Sequence, residues 1–158
     1  MEKFIIQGGK KLEGTVKVMG AKNVALKVLV ASCLTDEKVT IHNVPHLLDV
    51  QVMLEIIKDL GGKVEQQGHT VTVQMKQFAK HDISLELGAK ARTSIMFIAP
   101  LLLRIGEAVI PNPGGCRLGA RPIDRMIEGL KHMGAEITYH SDDGYFYIER
   151  LAFDDYKK

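Results

Sequence analysis

The chain has 158 residues, with 21 Lys or Arg against 19 Asp or Glu, a formal charge of +2, and 46% hydrophobic residues. That is one domain's worth, and at this size roughly two thirds of the unfolded surface leaves water on folding. The composition excludes a disordered chain, and the near-even charge gives no reason to expect nucleic acid or an anionic membrane as partner. The longest apolar run, Ile95 to Leu103, contains Pro100 and is too short to span a bilayer. The N-terminal residues hold no apolar leader core, and two cysteines make no disulfide framework. A reducing cytoplasm is the expected compartment.

In chain order, Phe4-Ile5-Ile6 and Gly14 to Val18 read as two short strands. After Gly20 the period changes. Leu26, Val30, Cys33 and Leu34 fall at helical spacing, so Lys22 to Leu34 reads as a helix. Val39-Thr40-Ile41 is a strand leading into Asn43-Val44-Pro45. Val50, Met53, Leu54, Ile57 and Leu60 mark a second helix, stopped by Gly61-Gly62. Lys63 to Glu65 and Thr70 to Val73 form a hairpin around Gly68. Downstream, Ala91 to Leu103 reads as a helix and Glu107 to Ile110 as a strand. Ile123, Met126, Ile127 and Leu130 mark a further helix ending at Gly134, followed by a hairpin of Ala135 to Thr138 and Tyr145 to Ile148 around Asp143-Gly144. The faces of each hairpin alternate imperfectly, which predicts partial cover on both.

The second half repeats the first. A shift of 69 residues puts Asn23 on Arg92, Leu26 on Ile95 and Val39-Thr40-Ile41 on Ala108-Val109-Ile110. Beyond that the shift becomes 73, placing Met53 on Met126 and Val64 on Ile137, so four extra residues fall within 111–122. An insertion confined to one loop of one copy is where function is expected. Two helix–strand–helix–hairpin units predict an α/β or α+β domain.

The 111–122 loop carries three glycines, three prolines, and Cys116 between Arg117 and Arg121. Neighbouring cations favour a thiolate, so Cys116 is a candidate reactive thiol; the bland alternative is a free surface cysteine. Cys33, on an apolar helical stripe, reads as core. Lys22-Asn23 opens the first helix and Lys90-Ala91-Arg92-Thr93 the third. Cations oppose the dipole at a helix start and make sense where an anion sits there; otherwise they are solvated surface charges. Since Asn23 and Arg92 are equivalent in the repeat, both starts are expected to face one site. Arg121-Pro122-Ile123-Asp124 opens the fourth helix with Pro122 near its first position, and Asp124 reads equally as ligand contact or dipole compensation. The six histidines lack metal spacing, and no P-loop or nucleophile elbow occurs.

Gly20-Ala21-Lys22-Asn23-Val24-Ala25-Leu26, Asn43-Val44-Pro45 with Asp49-Val50, and the loop Pro113-Gly114-Gly115-Cys116-Arg117-Leu118-Gly119-Ala120-Arg121-Pro122-Ile123-Asp124 closely resemble the UDP-N-acetylglucosamine 1-carboxyvinyltransferase family, from Met1 to about Arg150. The sister 3-phosphoshikimate 1-carboxyvinyltransferases share the fold but not the cysteine loop. The resemblance implies an inverse α/β barrel of βαβαββ units, two of them present here, at 21–75 and 90–149. It implies that 1–20 contributes strands to a second domain, that 21–150 is a partial transferase domain, and that 151–158 is a tail. The implied reaction moves the enolpyruvyl group of phosphoenolpyruvate to the 3′-hydroxyl of UDP-N-acetylglucosamine, the first committed step of peptidoglycan synthesis, with no cofactor.

By resemblance Cys116 is the loop acid that protonates the phosphoenolpyruvate methylene, and the thiol that fosfomycin alkylates. Lys22, also catalytic, and Asn23 fall on the phosphoenolpyruvate side, and Arg92 on a UDP-sugar contact. Arg121, Pro122, Ile123, Asp124 and Arg125 match the segment holding the nucleotide sugar, with Arg121 also near the phosphoenolpyruvate anion. The family's aspartate base and a closing arginine belong to sequence this chain lacks. The expectation is therefore a truncated or split enzyme, inactive alone, pairing as a homodimer or with a complementing C-terminal half. The rival reading is a non-catalytic UDP-sugar or anion-binding module, or an assembly subunit.

Overall fold

The computed structural model describes residues 3–113 and 123–150. Residues 3–20 carry no helix or strand, contrary to the two strands the sequence suggests, and Phe4, Ile5, Ile6, Val16 and Val18 are each more than 80% exposed. Strand geometry persists only where a neighbouring ladder takes up its amides, and no described strand lies beside this segment.

Regular structure begins at α1, Lys22–Ala31, which continues as a 3-10 turn through Leu34. Ala25, Leu26, Leu29 and Val30 form its buried stripe. Cys33 is fully buried below them, as its position on that stripe predicts. Strand β1, Lys38–Ile41, leads to α2, Leu48–Asp59, whose Val50, Met53, Leu54, Ile56 and Ile57 are buried. The helix stops at the two glycines, where the Gly62 N–H donates to Ile57 O at 2.8 Å. Strands β2, Lys63–Gln67, and β3, Thr70–Gln74, complete an antiparallel sheet in the order β1-β3-β2.

The next element was not legible in the sequence. Helix α3, Leu85–Lys90, is capped by Ser84, whose hydroxyl accepts from the Leu87 N–H at 3.3 Å. It is only six residues long and its Leu85 is exposed, so it carries almost no apolar period. Lys90 therefore closes a helix, where a cation suits the dipole, and does not open one. The single helix expected from Ala91 to Leu103 is also divided. Arg92–Phe97 is 3-10, and α4, Ile98–Arg104, is α-helical. Pro100 is the reason: it has no N–H to give the carbonyl four residues back, so it fits only in the first turn of an α-helix. Helix α4 begins two residues before it.

Strands β4, Glu107–Pro111, β5, Ala135–His140, and β6, Tyr145–Arg150, form a second antiparallel sheet in the order β4-β6-β5. The two sheets thus share one connectivity. The two-residue turn after Gln67 becomes four residues after His140. Helix α5, Asp124–His132, has Ile123 as its cap residue; Pro122, expected near its first position, lies outside the described residues.

Each sheet turns one face inward. Val71, Val73, Ala108, Ile110 and Ile148 are buried, whereas Lys38, Thr40, Glu65, Glu136 and Thr138 are exposed on the other faces. On that outer face Thr70, Thr72 and Gln74 of the central strand β3 are half-buried, so the cover there is partial, as expected. One apolar cluster spans both units, joining Leu29, Met53, Ile57 and Val73 to Phe97, Leu101, Ile110 and Ile148. The connector between units is bound in as well: the Val109 N–H donates to His81 O at 2.9 Å and the Ile83 N–H to Val109 O at 3.0 Å.

Candidate active site

The connection into α1 is set by a close backbone approach. Asn43 adopts a left-handed backbone, φ 58°, and the following Val44 N–H donates to His69 O at 2.8 Å. His69 Nδ1 lies 2.9 Å from Val44 O and donates to it, so the hairpin turn holds this loop from both directions. Gly20 crosses the loop so closely that a Cβ there would lie 1.9 Å from Asn43 O. Any larger residue has to push the chain away, and with it Ala21 and the first turn of α1.

That first turn carries Lys22 and Asn23, has no side-chain cap and holds no acidic residue. It faces a cleft of about 560 Å³ lined by Lys22, Asn23 and Leu26 of α1, Asp49 of α2, Lys90 of α3, and Ala91, Arg92, Thr93, Ile95 and Met96 after it. The repeat-equivalent Asn23 and Arg92 therefore do meet at one site. Leu26, Ile95 and Met96 supply an apolar floor, and the polar groups come from three separate helix ends and the 3-10 segment.

Lys22 Nζ donates to Asp49 Oδ2 at 2.9 Å, and Asp49 sits in the first turn of α2. Lys90 Nζ pairs with Glu86 Oε1 at 2.8 Å, one turn earlier. The hydrogen bond that Lys90 donates to Glu86 holds the ammonium above its ordinary pKa, and the same bond holds Glu86 below its own. Arg92 is half-buried and has no hydrogen-bond or ion-pair partner among the described residues. The cleft thus presents three cations, two engaged in ion pairs and one, Arg92, open.

Among the described residues Asp124 and Arg125 do not line this cleft; both are exposed at the start of α5. Ile123 is half-buried and packs against the core. Cys116, Arg121 and Pro122 lie outside the described residues. Asp49 carries no site signal in the sequence, and Lys90 closes α3 where the sequence pattern suggests a helix start. Asp49 stood inside a recognised motif, but its contact with Lys22 spans 27 residues and leaves no periodic trace. No group of three His, Cys, Asp or Glu among the described residues is arranged to hold a metal ion, and none of their helices is long and apolar enough to cross a membrane.

The fold matches that of solved enolpyruvyl transferases. The enolpyruvyl transferase NikO from Streptomyces tendae superposes with a TM-score of 0.77 at 20% identity, over 91% of this chain and 31% of that one. An EPSP synthase from Acinetobacter baumannii gives 0.63 at 20% identity, over 87% and 32%. The class is thus an α/β protein of the enolpyruvyl transferase fold. Residues 6–152 match the family described as EPSP synthase (3-phosphoshikimate 1-carboxyvinyltransferase), and the chain belongs to that family. Within it, curated relatives named UDP-N-acetylglucosamine 1-carboxyvinyltransferase are similar at 45% identity in Desulfosudis oleivorans, over 87% of this chain, and at 47% in Carboxydothermus hydrogenoformans, over 89%. The chain spans about a third of the length of each, 33%.

Proposed function

We propose that this chain supplies part of the active site of an enolpyruvyl transferase acting on phosphoenolpyruvate and UDP-N-acetylglucosamine in peptidoglycan synthesis. The observation that carries the reading is the convergence of Lys22, Asn23 and Arg92 on one cleft, since both substrates are polyanions. In the reaction, the sugar 3′-oxygen bonds to C2 of phosphoenolpyruvate while a proton is added to its methylene carbon, giving a tetrahedral phosphate ketal. Loss of phosphate from C2 and of a proton from the new methyl group then restores the double bond in the enol ether. Cys116 is the acid for the first proton, and Arg121, Pro122, Ile123, Asp124 and Arg125 hold the nucleotide sugar. Lys22 and Asn23 take the phosphoenolpyruvate anion, and Arg92 takes the UDP-sugar. The base for the sugar hydroxyl comes from sequence present in the relatives and absent here, as does the domain with which residues 1–20 assemble. That sequence also supplies a closing wall that excludes water from the ketal.

The 158-residue chain is expected to bind UDP-N-acetylglucosamine weakly and to release no phosphate on its own. Amide NMR titration reads the first, with shifts at residues 22–26 and 90–96 that Arg92→Ala removes without moving the melting temperature. A coupled phosphate assay reads the second, with turnover appearing when the remaining two thirds of a curated relative is co-expressed. Brief iodoacetamide labelling is expected to modify Cys116 well before Cys33. Shifts scattered away from the cleft, or turnover by the chain alone, overturn this assignment of roles.

A further inference from the structure

The cleft neutralises most of its own charge. Lys22 reaches from α1 to Asp49 on α2, while Lys90 is held by Glu86. The Lys22–Asp49 pair is open to solvent, with side-chain exposures of 49% and 39%, so a ligand in the cleft reaches both groups. An acid in the first turn of α2 suits that helix's dipole, but dipole compensation alone does not draw a lysine from another helix. Exposed pairs contribute little to stability, so this one opens at low cost. An anion entering the cleft meets a carboxylate beside the lysine and gains that lysine only by displacing the carboxylate.

We propose that Asp49 is a positioning residue for Lys22: it holds the ammonium against the cleft wall while the cleft is empty, and masks its charge until a substrate anion displaces the carboxylate. This rests on the reading of the cleft as an anion site. Asp49 touches Lys22 and not the reacting atoms, so its effect falls on anion affinity and on which anions are admitted. Removing the carboxylate charge frees Lys22 for any small anion, whereas keeping the charge on a longer side chain preserves the mask.

The test uses the 158-residue chain with inorganic phosphate as probe, followed by amide shifts at residues 22–23 and 90–96. Asp49→Asn is expected to bind phosphate roughly threefold or more tightly than the parent, a gain that shrinks at high salt. Asp49→Glu is expected to match the parent. In lysine ammonium spectra of the unmutated chain, the Lys22 signal is expected to be protected from exchange and to lose that protection in Asp49→Asn. An Asp49→Asn protein with unchanged or weaker phosphate affinity overturns the proposal, as does one altered only in melting temperature, which marks a structural acid. If the enolpyruvyl reading alone is wrong, phosphoenolpyruvate and UDP-N-acetylglucosamine bind neither protein, while the phosphate difference between the two persists.

Discussion

Arg104 shows how much one side chain decides here. Its guanidinium donates to Cys33 O, Thr35 O, Met75 O and Lys76 O and lies 5.4 Å from the Phe78 ring centroid. A planar fork of N–H groups satisfies several carbonyls together, which a lysine ammonium on a flexible stem does not reproduce. The clamp ties the last turn of α4 to the end of α1 and the end of β3. Arg104→Ala is expected to cost about 3 kcal/mol, because the carbonyls it leaves are partly shielded from water. Arg104→Lys is expected to recover less than half, read from urea midpoints. Nearby, burial pushes the Cys33 thiol up to about 12, well above its ordinary 9.0. The folded state therefore keeps a proton that the unfolded chain loses. The sign follows: the thiol leaves stability unchanged below pH 9.0 and removes stability progressively as pH rises from there to about 12. A melting series across that window is expected to fall, and Cys33→Ala is expected to flatten the fall while lowering the plateau.

At the scale of elements, the least regular segments hold the site. Helix α3 and the 3-10 stretch after it carry Lys90 and Arg92 into the cleft, and neither has the apolar period that makes α2 recognisable. They are set by what they pack on. Gly88 is fully enclosed, and a Cβ there would lie 2.3 Å from Pro111 Cγ of β4. Read in sequence, that glycine weakens a helix; in the fold it is the point of contact. Gly88→Ala, an intrinsically better helix former, is expected to destabilise the chain by about 2 kcal/mol, since overpacking against a proline ring has no flexible end to yield. Denaturant unfolding measures the loss, and amide shifts at 90–96 report displacement of the cleft wall. A gain in stability would mean that α3 is seated elsewhere.

For the whole molecule, the two units share one core, and the apolar surface left over is concentrated in the N-terminal segment. Phe4, at 98% exposure, and Leu12, at 94%, lie among further apolar side chains with no described partner. An unpaired apolar segment recruits other chains. Sedimentation over a wide concentration range is expected to show association, and a Phe4→Ser/Ile5→Ser/Ile6→Ser variant is expected to abolish it. A chain that stays monomeric throughout removes this role from the segment.

What local chemistry dictates was legible without coordinates. The stripe of α2 and its glycine stop, the two hairpins and the burial of Cys33 follow from spacing and turn residues a few positions apart. Asn23 and Arg92, which the sequence shift aligns, both line the cleft. The tertiary structure alone decided the rest. Lys22 meets Asp49 across 27 residues, Arg104 meets the Cys33 carbonyl across 71, and the residues after Ala91 coil as 3-10 ahead of Pro100. These depend on two distant backbones arriving together, and a distance between chain segments leaves no period in the sequence. The strands suggested at 4–6 and 14–18 failed for the matching reason. Their strand-forming residues are a local signal, but a strand is completed only by a neighbour, and no described strand lies beside them.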